Sequence, residues 1–258
     1  MILISSKLIS GSSQVKLFDK SVYVKNIIGL QMDLNKKLDV LEKIYKIYDD
    51  FARNLDVACK KCCDSCCTRN VTLTTLEGYR IVECLISDRK TDLFDSIRNN
   101  LNKKRFQPCM TINRLAELSI AGKDIPDEEN PFSQEECPIL KDRLCPIYSA
   151  RPFGCRCFVS KHSCREKGYA EVDEFILTVN NVFMQYIESI DSNGCFGNLT
   201  DVLLFLESGE ACQKCREGSL QCEKNNLIPN ISIPALMIPP EHRLKIQPVL
   251  QALAVVCS

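Results

Sequence analysis

The sequence predicts a mainly α fold with irregular, cysteine-rich, metal-stabilised loops and few or no strands. Three observations carry this expectation. Apolar residues recur at spacings of three and four over several long stretches, the period of one helix face. Few segments alternate with period two, as a half-buried strand would. The cysteines gather in three blocks, and Pro138, Pro146 and Pro152 forbid a continuous helix through the second.

Residues 1–31 carry no sustained periodicity and read as a loosely ordered leader. Residues 32–58 form an amphipathic helix, with Leu34, Leu38, Leu41, Ile44, Tyr45, Tyr48, Phe51 and Leu55 on one stripe that runs straight into Cys59. That stripe is expected to pack on its own domain, at under four heptads too short for a coiled-coil arm. After the first cysteine block, Val71 and Leu73 look extended. Thr74, with Glu77 three residues on, then makes a capping box that opens a helix through about Ser87, with Cys84 as a core residue. A further helix is expected over Asp92–Lys103. The stretch KDIPDEENPFSQEE reads as an acidic, proline-interrupted surface loop. Beyond the second cysteine block the pattern predicts helices over 170–190, 199–206 and 242–255, separated by a third block, Cys212-x2-Cys215-x6-Cys222, that opens like a zinc knuckle. The organisation is therefore leader, helix, a cysteine-cluster metal-binding domain over 59–164, and a helical C-terminal part over 165–258.

Composition limits the function. Of the 258 residues, 45% are hydrophobic, enough for a real core. Lys plus Arg (33) balances Asp plus Glu (33), so no basic field exists to neutralise phosphates, and nucleic acid is not an expected partner. No apolar run reaches the roughly 18 residues that span a bilayer. The opening MILIS is too short for a signal-peptide core. The chain is expected to be cytoplasmic, where thiols stay reduced.

The first block, CKKCCDSCC over 59–67, places five cysteines in nine positions. Thiolates crowded within one or two turns of backbone repel one another unless a soft cation neutralises them. With 17 cysteines and only 2 histidines in the chain, such a site is mostly or wholly thiolate. The second block, over 137–164, supplies Cys137, Cys145, Cys155, Cys157 and Cys164 on stiff backbone. There Arg151 and Arg156 flank Cys155, set either to stabilise thiolate or to bond local carbonyls.

Together the two blocks resemble a known family. Cys59-x3-Cys63-x2-Cys66-Cys67, followed by V-x-L-T-x-x-E over 71–77, is similar to the opening of the YkgJ-type cysteine-cluster proteins, also called the CxxCxxCC zinc- or iron-chelating domain. C-P-x-L (137–140), C-x-I-Y (145–148) and R-P-x-x-C-R (151–156) then match that family's second signature in order. The resemblance implies metal ligands at Cys59, Cys63, Cys66, Cys67, Cys137, Cys145 and Cys155, with Cys164 as an eighth. Cys62, Cys157 and the third block depart from the pattern. The arrangement is also distantly similar to that of the flagellin lysine N-methylase group, which implies an iron–sulfur cluster and S-adenosylmethionine.

Three function classes follow. In the first, an iron–sulfur or zinc protein acts in redox chemistry, metal handling or sensing, with a [4Fe–4S] cluster favoured because prolines adjoin the ligands at Cys137 and Cys145. In the second, the chain is an S-adenosylmethionine-dependent protein lysine methylase acting on a protein substrate, with Tyr148, Glu77 or Asp142 as the base. In the third, zinc is structural and the helical stripe near residues 34–55 binds a protein partner. All three leave residues 1–31 outside the site, so their deletion is expected to leave metal content and helicity intact; a clear loss of either in metal analysis or circular dichroism means that the leader belongs to the fold.

Overall fold

A computed structural model describes residues 18–19, 32–60, 62–126, 135–222 and 226–257. In chain order the elements are β1 (Phe18–Asp19), α1 (Leu34–Ala52), β2 (Thr72–Thr74), α2 (Thr75–Ser87), α3 (Leu93–Arg98), α4 (Ile112–Ile120), α5 (Phe153–Arg156), α6 (Cys164–Lys167), α7 (Glu174–Ile190), β3 (Cys195–Asn198), α8 (Leu199–Glu207), α9 (Gly209–Glu217), β4 (Ile228–Pro229), β5 (Leu236–Met237) and α10 (Gln247–Val256). The fold is mainly α with few, short strands. Strands β2, β3 and β4 form one small antiparallel sheet, and β1 pairs with β5, Phe18 opposite Met237. Of the leader, only Phe18 and Asp19 are described; the rest of 1–31, and most of the acidic loop, lie outside the described residues.

Helix α1 begins where Asp33 caps it, its carboxylate accepting from Lys36 N at 2.8 Å. It buries Leu34, Val40, Leu41, Ile44, Tyr45 and Tyr48, the stripe expected to face inward, against α7 and α10. Most of that surface is therefore packed within the chain. The helix stops at Ala52 instead of continuing to Cys59. There Asn54 turns its side-chain amide back onto Asp50 O at 3.1 Å, and Leu55 closes a tight turn onto Ala52 O. The same competition shortens the expected helix over 92–103 to α3, because Asn100 bonds Ser96 O at 2.7 Å. Helix α7 starts at Glu174 rather than Ala170 because Asp173 is the residue that caps it, accepting from Phe175 N. Helix α4, TINRLAELSI with Thr111 as its cap, had a legible cap and an apolar 3-4 pattern that the charged surroundings hid.

Helix α2 carries the packing of the centre. Its capping box forms as expected between Thr74 and Glu77. Gly78 lets α8 approach so closely that an added Cβ would stand 2.5 Å from Val202 Cγ1. Cys84 on this helix is half-buried against the core edge.

Glu77 does more than cap. Only 3% exposed, its carboxylate accepts from Thr74 N (2.9 Å), Thr74 OH (3.1 Å), Tyr45 OH on α1 (2.8 Å) and Phe153 N on α5 (2.7 Å). The Phe153 ring enters the same region, 4.8 Å from Tyr48 edge-on and stacked 5.6 Å from Phe183 of α7. One buried carboxylate thus joins the core helices to the second cysteine block. Glu77→Gln, which turns one acceptor into a donor facing Thr74 N or Tyr45, is expected to lower unfolding stability by about 1–3 kcal/mol in urea titrations; an unchanged midpoint means that the network carries no net energy.

Candidate metal centre

The first cysteine block lies in the loop from α1 to β2, and short turns fold it on itself. Cys63 N bonds Lys60 O at 3.0 Å, Cys67 N bonds Asp64 O at 2.8 Å and Thr68 N bonds Cys66 O at 2.9 Å. Cys62 adopts a left-handed φ of 72°. The second block is laid onto the first through its backbone: Cys137 N bonds Cys67 O at 2.8 Å, and Thr68 bridges Glu136. Lys141 and Leu144 then pair with each other around Asp142 and Arg143, both at positive φ. Two left-handed central residues make a two-residue hairpin turn, which delivers Cys145.

Pro152 leads into α5, which carries Cys155. Gly154 beside it is a position where a Cβ would come 2.9 Å from Thr72 O, so only glycine lets α5 sit against β2. Asp64 ties three cysteine-bearing segments together, taking Arg143 Nε at 2.6 Å from the hairpin and Arg165 at 2.7 Å from α6. The Arg143 hydrogen bond holds its carboxyl below the usual carboxylate range.

These loops enclose a cleft of about 790 Å³ whose walls include Cys59, Cys62, Cys63, Cys66, Cys67, Cys145 and Cys155. Cys137 stands just behind it, within electrostatic reach of Cys155, and Cys164, the first residue of α6, within reach of Cys59. All eight sequence-predicted ligands are therefore gathered on one side of the molecule. Cys157 is buried and stands outside the cleft wall, and Cys62 is exposed within that wall. Among the described residues, no group of three or more Cys, His, Asp or Glu side chains is arranged so as to hold a metal ion.

The thiols open onto the cleft on one side and are surrounded by protein on the others, and burial raises most of them. Burial pushes Cys137 up to about 11, and raises Cys145, Cys155 and Cys59. Cys66 is raised far more, first by the hydrogen bond it shares with Cys67 and then by burial. Burial thus disfavours the thiolate form at Cys59, Cys137, Cys145 and Cys155.

Two features nevertheless suit an anionic thiolate–metal group. Arg151 lines the cleft and opposes the rise of Cys66 and Cys145, and its buried Nε has no hydrogen-bond partner while its guanidinium lies 4.2 Å over the Tyr148 ring. Lys60, Lys90, Arg143 and Arg156 also line the cleft, against Asp49 and Asp88. Arg156 is occupied, bonding Ser149 O, Arg151 O and Asp49 and lying over Tyr45. The two arginines therefore divide the roles left open by the sequence. Arg156 bonds local carbonyls, and Arg151 lies within electrostatic reach of Cys66 and Cys145.

The remaining candidates are separated. Tyr148 lies under Arg151 in the cleft wall, Asp142 is exposed in the hairpin turn, and Glu77 is saturated by its four donors. The third block is not a knuckle. Cys222 is bonded to Cys195 in a disulfide, and Cys212 and Cys215 sit one turn apart on α9, where Cys212 donates to Leu206 O. The reason is local: Ser208 caps a helix through the first two cysteines, and strand β3 brings Cys195 beside the third.

A second cavity, of about 260 Å³, shares Cys66, Val71, Gly154 and Phe158 with the cleft. Glu188 of α7 lines it. The sequence signal for it was the run of polar residues, Asn180, Asn181, Gln185 and Glu188, inside an otherwise apolar helix. No family model, curated protein or solved structure matches the chain. No helix of the described residues is long and apolar enough to cross a membrane.

Burial pushes Glu188 up to about 7 and Asp191 up to about 6, against ordinary values of 4.5 and 3.8. The folded state then holds protons that the unfolded chain has already lost, so the stability these groups supply is full at acid pH and declines as pH rises through 7. Urea unfolding is expected to show a fall on the order of 2 kcal/mol between about pH 5 and pH 7.5. A flat profile means that neither carboxyl is held neutral.

Proposed function

We propose that the chain is a metal-binding protein of the YkgJ type, whose clustered cysteines hold an iron–sulfur group, a [4Fe–4S] cluster first, for redox, metal-handling or sensing work in the cytoplasm. The observation that carries the reading is the convergence of Cys59, Cys63, Cys66, Cys67, Cys145 and Cys155, from sequence positions nearly a hundred residues apart, on the walls of one cleft. A hydrophobic core has no need of that assembly. Cys137 and Cys164 flank it and complete the donor set. The group would supply soft-metal redox chemistry. The chain supplies thiolates, a guanidinium whose free Nε–H is available to sulfur, and loops pinned by Asp64 and Glu77. Metal must displace the thiol protons, so loading is coupled to proton release and to loop order.

The test is iron, zinc and acid-labile sulfide analysis with an absorption spectrum on protein purified without oxygen. About four iron and four sulfide per chain with a broad visible band are expected for the cluster. Cys66→Ser and Cys155→Ser are each expected to lower metal content and solubility together, while Cys84→Ser, outside the cleft, leaves both unchanged. Stoichiometry that stays the same in both cleft variants sinks the assignment; colourless protein with zinc instead makes the thiols a structural clamp.

A further inference from the structure

The second cavity lies between α4, α5, α7 and β3, and the proposed metal centre does not account for it. We propose that it is a binding site for a small, mostly apolar molecule with one hydrogen-bond-donating end and no negative charge. The donor end meets the Glu188 carboxyl, and the body packs among Ile112, Phe153, Met184, Ile187 and Phe196.

Volume and wall chemistry both argue for this occupant. About 260 Å³ is close to the lower end of small-molecule pockets, enough for one ring with a short substituent. No Lys, Arg or His stands among the described residues of the wall, whereas Glu77 and Glu188 both do, so an anion finds no cationic partner there. Glu77 is already saturated by four donors. Glu188 is not. It accepts from Asn113 N at 2.9 Å, from Ile231 N at 2.9 Å and from the Thr111 hydroxyl, three donors against roughly four acceptor positions of a carboxylate. One position is left for a ligand. That carboxyl is rigidly held, since its backbone donors come from the start of α4 and from the segment after β4.

The inference needs no metal, although the shared wall at Cys66 and Gly154 places any occupant beside the thiol cleft. Its failure and that of the metal reading are therefore distinguishable. Isothermal titration of the full chain with phenol, benzylamine and benzoate, above the value of about 7 at which the Glu188 carboxyl loses its proton, tests it. Saturable binding of phenol or benzylamine is expected, with benzoate roughly tenfold weaker or more. Met184→Trp, which fills the cavity from a half-buried wall position, and Glu188→Gln, which places an amide where the open acceptor was, are each expected to weaken the donor probe by about tenfold. Ile86→Trp, on the exposed face of α2, should change nothing. Equal binding of benzoate, no saturable binding of either donor probe, or affinity unmoved in the cavity variants overturns the proposal. Should Met184→Trp fail to fold, Glu188→Gln decides alone.

Discussion

The structure depends on the carboxylate of Glu77. A carboxylate that is 3% exposed is costly to bury, and it persists here because four donors converge on it at the positive end of α2. Those donors come from three parts of the chain: the capping residue of α2, the middle of α1, and the first residue of α5. The carboxylate therefore sets the distance between the helical core and the loop that carries Cys155. Phe153, whose N–H is one of the donors, puts its ring between Tyr48 and Phe183, so the same residue anchors the second cysteine block by a hydrogen bond and by aromatic packing. Cleft geometry and core packing are then one problem. Disturbing either shifts the other.

Helix α7 solves a second difficulty, created by the scarcity of strands. Irregular backbone buried in a core leaves amides without ladder partners. Side chains of α7 supply them. Gln185 accepts from Met237 N at 2.9 Å and donates to Ala235 O at 2.8 Å, Glu188 accepts from Ile231 N, and Ser189 accepts from Ile233 N at 3.4 Å. Asn180 bridges Tyr48 OH to Cys157 O. Polar residues on a helix that is buried nearly all round are thus the means by which residues 228–238 and Cys157 keep fixed positions.

What was legible in the sequence follows from range. Local devices read correctly: the Thr74–Glu77 box, the apolar stripe of α1 and the long apolar pattern of α7 all produced the elements expected of them. Helix ends were misjudged where a side chain competed with the backbone, as Asn54 and Asn100 do, because a periodic pattern says nothing about such local bonds. The clustering of the first two cysteine blocks was legible from spacing and resemblance. The third block was misleading, since C-x2-C on a capped helix and C-x2-C in a knuckle are identical as strings, and the partner of Cys222 lies 27 residues upstream on a strand. The long-range bonds of Glu77 and the place of Arg151 in the cleft wall had no local signature, and the second cavity had only the polar run on α7. Each is a product of packing between elements far apart in the chain.

The electrostatics of the cleft link its two states. Without a cation, burial keeps Cys137, Cys145 and Cys155 protonated, and neutral thiols tolerate one another in a half-enclosed space. Of the basic side chains around them, Lys90, Arg143 and Arg156 pair with Asp88, Asp64 and Asp49, while the Arg151 Nε stays unpartnered. Under the proposed metal reading, a soft cation would displace the thiol protons. Thiolate ligands would outnumber the charge of a single metal or cluster, so such a site would be anionic, and the surplus would fall where Arg151, Lys60 and Lys90 stand. On that reading the features that keep the thiols protonated would leave a bound group well compensated, and the loops that Asp64 and Glu77 hold in place would need only bring sulfur to metal rather than assemble the site from an unfolded chain.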